Sequence, residues 1–199
     1  MLAEFGHTPK VAISDHQRDE YLQFACSAVR AAGRVILPHF RSGVPVTNKV
    51  DNGGFDPVTL ADQAGERAIR EAIELAYPEH GIFGEEYGFN AGNGLTWVID
   101  PVDGTRAFMT GMLHWGVLLA LFDGESPVVG VMYQPFTDEL FSGDGAAAWL
   151  ERGGNRQALT TSLCENVATA SLSTTGIEWL AAQQQEQFKR LSRASKLNK

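Results

Sequence analysis

The stretch "TWVIDPVDGTRAF", Thr96–Phe108, sets two carboxylates, Asp100 and Asp103, on either side of a Pro-Val pair at the end of an apolar run. Burying an unpaired charge there is costly, so something positive belongs beside them. Two further acids, Asp62 in "TLADQ" and Glu85 in "FGEEYG", also fall near the ends of predicted elements and can converge on the same point. Oxygen donors without a nearby His or Cys favour a hard cation, Mg²⁺ ahead of Zn²⁺. The proline-containing turn aims Asp100 and Asp103 at one locus and leaves the Val102 carbonyl as a further ligand. Gly104 and Thr105 then supply backbone N–H groups at a predicted helix start, a seat for a phosphate oxygen.

Each acid has a second role open to it. Asp100 suits a strand-end turn, and Asp103 a helix N-cap. Asp62 completes the Ser/Thr-x-x-acid pattern of a capping box with Thr59. Glu85 and Glu86 read locally as a solvated surface pair. Asp-Pro-x-Asp-Gly-Thr as a unit is harder to derive from turn chemistry alone. His114 and Trp115 lie in an apolar run, where a core histidine is expected. The cationic tail "FKRLSRASKLNK" reads as compensation of a helix dipole.

The elements that must carry these residues follow from periodicity. Leu22, Ala25, Val29, Ala32 and Ile36 recur at helical spacing from Asp15, the expected cap, to about Leu37, where Pro38 ends the run. "RSGVPVTNKVDNGGFDPVT" predicts a short hairpin or a mobile loop. A second helix is expected from Leu60 to Tyr77, with Ala61, Gly65, Ala68, Ala72 and Leu75 on one face while Glu66, Arg70 and Glu74 point away. "HGIFGEEYG" predicts a strand, "GFNAGNG" a loop, and "LTWVID" a strand halted at Asp100 by Pro101. From "HWGVLLALF" to "RQALTTS" the pattern is hairpin-linked antiparallel strands. One more strand is expected in "VATASLST" and a helix from Thr175 onward. The class is α+β, or a layered α/β/α sandwich, with a largely antiparallel sheet.

With 199 residues, 44% of them hydrophobic, the chain can bury a sizeable core. Its net charge of −8 disfavours a nucleic-acid partner, which calls for an excess of clustered Lys and Arg. Cys26 and Cys164 have no CxxC spacing and point to a reducing compartment. The N-terminus carries Glu4, Pro9 and Lys10 where a signal peptide needs an unbroken apolar region, and no stretch reaches the length of a membrane span. The expectation is a cytoplasmic protein with neither membrane nor nucleic acid as partner.

"DPVTLAD", "IFGEE" and "WVIDPVDGTRAF" together resemble the inositol monophosphatase-like family of Mg²⁺-dependent phosphatases, in order and in approximate spacing. Within it, the Arg-x-Phe-x-x-Gly and the Trp-Gly after the motif look most like the histidinol-phosphatase branch. The resemblance implies the sugar-phosphatase type of layered fold, with residues 1–14 as a flexible segment and 15–199 as an incomplete phosphatase domain. It implies Glu85, Asp100, the Val102 carbonyl and Asp103 as Mg²⁺ ligands, and Thr105 with Glu85 orienting the attacking water. Asp62 positions a second water, Gly104 and Thr105 hold the phosphate, and Lys49 matches a lysine on a mobile loop. The implied activity is hydrolysis of a small phosphate monoester, with histidinol phosphate ahead of inositol phosphate, in a homodimer. Members of the family continue into a Gly-Gly-Asp strand and a Trp-Asp pair that supplies another ligand. This chain stops at Lys199, so the resemblance also implies apolar surface left exposed. The alternative of another class is an inactive metal-binding or interaction protein.

Overall fold

The computed structural model describes residues 10–42, 46–48, 57–178 and 180–198. They fall into two compact units, residues 1–159 and 160–199.

In the first unit, α1 spans Asp15–Ile36. Its cap is Ser14 rather than Asp15: Ser14 Oγ accepts from the Gln17 N–H at 3.3 Å while Gln17 Oε1 accepts from the Ser14 N–H at 3.0 Å. This reciprocal box satisfies two backbone donors at once, and Asp15 adds a favourable charge to the first turn. Pro38 tightens the end into a 3₁₀ turn, Leu37–His39. Strands β1 (Val46–Asn48) and β2 (Pro57–Thr59) pair antiparallel, as a hairpin requires. α2 runs Leu60–Ala76. Then come β3 (Gly81–Gly84), β4 (Gly88–Asn90), β5 (Thr96–Asp103), the short α3 (Thr105–Met109), β6 (Gly116–Phe122), β7 (Pro127–Gln134), β8 (Glu139–Gly143), β9 (Ala148–Arg152) and β10 (Asn155–Leu159).

Eight of these strands form one sheet in the order β10-β9-β8-β7-β6-β5-β3-β4, antiparallel throughout except between β3 and β5. Two elements depart from expectation. β4 forms where a loop is predicted, because the turn after β3 folds the chain straight back onto it. β5 continues through Pro101 to Asp103, because the ladder gives way around the proline. Asp100 lies opposite Leu118 and Asp103 opposite Gly116, so three steps along β5 face two along β6. Such a bulge suits a residue without an N–H. It also reverses the alternation of the pleat: residues three apart on a straight strand point to opposite faces, and one extra residue returns Asp100 and Asp103 to the same side.

One face of the sheet packs on α1 and α2. Val29, Ala32 and Ile36 from α1, Ala61, Ile69 and Ile73 from α2, and Trp97, Ile99, Val117, Leu119 and Leu121 from the strands are all buried. The helices approach closely at Gly65, where a Cβ would stand 2.5 Å from Ile36 Cδ1. The Trp97 indole N–H donates to His80 Nδ1 at 3.1 Å, and His80 stacks on Tyr77, which ties the end of α2 to β5. Along the opposite face, Phe83, Val98, Leu118 and Ala120 are half-buried and line a groove of ≈ 830 Å³ that Glu85 and Asp100 also line.

The second unit contains β11 (Ser171–Leu172), α4 (Ala182–Ala194) and β12 (Leu197–Asn198), with β11 and β12 parallel. The strand expected over 167–174 shrinks to two residues behind a 3₁₀ turn, Val167–Thr169. The predicted helix starts later than Thr175, because Thr174 closes a side-chain turn on the Gly176 N–H and Gln184 receives the Ala181 N–H at 3.0 Å. Among the described residues, no helix is long and apolar enough to cross a membrane.

Candidate active site

Asp62 sits in the first turn of α2 and is only 2% exposed, far from the solvated cap that local sequence allows. Glu85 follows β3 directly. Its N–H donates to the Ile99 carbonyl at 3.3 Å, which fastens the β3–β4 turn to β5 next to Asp100. Asp103 is exposed at the end of β5.

These acids act on one another through Asp100. Burial, the Glu85 charge, the Asp103 charge, a hydrogen bond with Glu85 and the Asp62 charge together push its carboxyl up to about 8. One of its oxygens, Oδ1, is buried with no hydrogen-bond partner. A half-buried carboxyl loaded by three like charges takes up either a proton or a cation. The donors are all oxygens, which suits a hard cation such as Mg²⁺. Among the described residues, no three His, Cys, Asp or Glu side chains are drawn into a closed ion-binding group. The four acids thus share a neighbourhood without forming a finished cage.

Val102 turns its side chain inward, 1% exposed. Its carbonyl accepts from the Thr105 hydroxyl at 3.2 Å, which leaves the Thr105 oxygen free to accept in turn. Gly104 has φ 88°, and a Cβ there would lie 2.3 Å from the His114 carbonyl oxygen. Only glycine fits, and it lets the chain turn into α3 immediately after Asp103. His114 itself is exposed rather than in the core; Trp115 beside it is buried. Lys49 lies outside the described residues.

The structure overturns the expectation that Glu66 and Arg70 point away from the core: both are buried on the inward side of α2. Glu66 is fully buried and pairs with Arg70 Nε at 2.7 Å, directly beneath the turn that carries Glu85. The signal available was an acid four residues after Asp62 on the inward side of a helix. The branch motif also has a structural account. Phe108 and Trp115 pack on each other and on Phe40, and Gly111, at φ 72°, receives two donors from Arg41 on its carbonyl, at 3.0 and 2.8 Å. Of that motif, only Arg106 is exposed.

A helix pair on a largely antiparallel sheet, with an oxygen-donor locus where a bulged strand meets a short helix, places the chain among α+β proteins with an acidic site. The sequence pattern of the inositol monophosphatase family matches residues 17–199, and the chain belongs to that family. A histidinol-phosphatase from Chlorobaculum parvum is 35% identical over 77% of this chain and 58% of its own length. The Nus factor SuhB from Haemophilus influenzae is 42% identical over 63% of this chain and 48% of its own length. A solved inositol monophosphatase from Zymomonas mobilis superposes with a TM-score of 0.74 at 32% identity, covering 94% of this chain and 69% of that one. The chain therefore spans about half the length of the curated relatives it matches.

Proposed function

We propose that this chain provides the cation-binding and water-positioning part of a Mg²⁺-dependent phosphomonoesterase. The observation that carries the reading is Asp100, with its unpartnered buried oxygen and a carboxyl raised by Glu85, Asp103 and Asp62. Glu85, Asp100, the Val102 carbonyl and Asp103 hold the cation. When bound, Mg²⁺ supplies charge neutralisation for a phosphate dianion, acidification of a water and support for the leaving alkoxide.

The remaining work falls to the protein's own groups. The Thr105 hydroxyl donates its hydrogen bond to the Val102 carbonyl, so its oxygen accepts from the attacking water and, with Glu85, fixes the direction of approach. Asp62, buried close enough to load Asp100, orders a second water. The Gly104 and Thr105 N–H groups hold the phosphate, and Lys49 adds a positive charge. No covalent phosphoenzyme is invoked: the reading is direct in-line attack by water on the phosphate.

Histidinol phosphate is the leading substrate, on the Arg-x-Phe-x-x-Gly and Trp-Gly motif and the Chlorobaculum relative; inositol phosphate and other sugar or nucleotide phosphates follow. The motif is a weak discriminator, because Phe108, Gly111 and Trp115 serve packing and turn geometry. Release of phosphate from a panel of esters, with and without Mg²⁺, is the test. Turnover of histidinol phosphate above inositol phosphate is expected, and no Mg²⁺-dependent release from any ester overturns the proposal. A second reading, a non-hydrolytic metal-binding or interaction protein, draws on the SuhB relative, named as a Nus factor. Mg²⁺ binding in calorimetry without hydrolysis favours it. The proposal expects a small-molecule ester rather than nucleic acid as partner, on the net charge of −8, and a cytoplasmic homodimer.

A further inference from the structure

Asp62, Glu66 and Arg70 recur at four-residue steps and share one face of α2. The mechanism above uses only the first. Glu66 has no exposed surface, yet its carboxylate is fully engaged: Oε1 accepts from Arg70 Nε at 2.7 Å and from the Tyr87 N–H at 3.2 Å, and Oε2 accepts from the Glu86 N–H at 2.6 Å. Arg70 continues the grip, donating to the Gly88 carbonyl and to Asn90 Oδ1 at 2.8 Å. On the other side of Glu85 stands Gly84, where a Cβ would fall 1.8 Å from Glu66 Oε1. The residue before Glu85 must therefore be glycine for the carboxylate to lie where it does. The three residues after it are held by Glu66 or by the guanidinium that Glu66 orients.

A buried ion pair is a weak device for stability alone, since apolar side chains of similar volume often do as well or better. A carboxylate that accepts from two successive N–H groups is a strong device for fixing a turn. We propose that Glu66 is a positioning residue: by gripping the Glu86 and Tyr87 amides, with Arg70 as counterion, it fixes the turn that presents Glu85 to Asp100 and so sets the cation affinity of the site. The inference rests on the reading of Glu85 as a cation ligand.

The test compares the parent chain with E66Q, which keeps shape and loses charge, and with E66M/R70M, which removes both charges and leaves none uncompensated. Mg²⁺ affinity is measured by calorimetry, and amide exchange at Glu86 and Tyr87 in Mg²⁺-free protein. In both variants the two amides exchange at least about tenfold faster while those of Ile99 and Leu119 keep their rates. Mg²⁺ binds about ten- to a hundredfold more weakly, and kcat falls while KM for the ester stays near the parent value. If the double variant fails to fold, E66Q carries the comparison. Parent-like Mg²⁺ affinity in a folded variant overturns the proposal, whether or not the amides have loosened. A parent that binds no Mg²⁺ overturns the ligand reading instead, and unchanged exchange at Glu86 and Tyr87 then overturns the grip on the turn separately.

Discussion

Asp103 is exposed at the tip of β5 and adds its charge to a carboxyl that already bears two others. Asp103→Asn is isosteric and removes a hard oxygen ligand, so Mg²⁺ binding should vanish from calorimetry while stability moves by no more than about 0.5 kcal/mol, the usual range for a surface change. Unaltered Mg²⁺ affinity would remove Asp103 from the ligand set. Asp100 gives a second residue-level test through its proton. Its folded value of about 8 lies above the ordinary 3.8, so between those limits the folded protein holds a proton that the unfolded chain has released. Stability from this group is therefore present in acid and lost as pH rises towards about 8, opposite in sign to a salt-bridged carboxylate. In Mg²⁺-free buffer the advantage of Asp100→Asn over the parent in thermal melts should grow steadily with pH across that window and level off above it. Parallel curves for the two proteins would mean that Asp100 is not loaded by its neighbours.

At the level of elements, the bulge in β5 and the turn after β3 do the positioning, and both depend on residues with no chemistry of their own. Gly84→Ala would drive a methyl into Glu66, costing about 1–3 kcal/mol as an overpacked site and weakening Mg²⁺ binding with it; a neutral effect on both in a denaturant titration and calorimetry would contradict the close approach. β6 offers a paired test of the layering. Leu119 is 1% exposed beneath the helices, whereas Leu118 is half-buried on the other face. Leu119→Ala should cost about 2–5 kcal/mol, as a cavity in a packed core does. Leu118→Ala should cost less than about 2 kcal/mol, because part of its surface is already in water. Equal losses from these adjacent residues would mean that both faces are equally closed.

Over the whole molecule, a cation that binds only the folded acids stabilises the fold: Mg²⁺ at ten times its Kd should add about 1.4 kcal/mol, read as a raised Tm that Asp103→Asn does not share. Much of this organisation is legible in the chain. The spacing of Val29, Ala32 and Ile36 and the alternation in β6 and β7 report helices and strands, because burial repeats at each element's own period. The bulge is not legible, because its cause is the pairing of β5 with β6 rather than anything Pro101 does alone. Neither is the role of Glu66: a glutamate in a helix is ordinarily a surface residue, and only the turn folding back beneath β3 supplies the amides that justify burying it. The sequence by itself determined the two long helices, the central strands, the candidate acids and the family resemblance, since these rest on residue types at local spacings. The tertiary structure alone decided that Asp62, Glu85, Asp100 and Asp103 act on one locus, and that Glu66 and Arg70 brace it, because electrostatic loading and hydrogen bonding depend on distances between segments that the chain order leaves open.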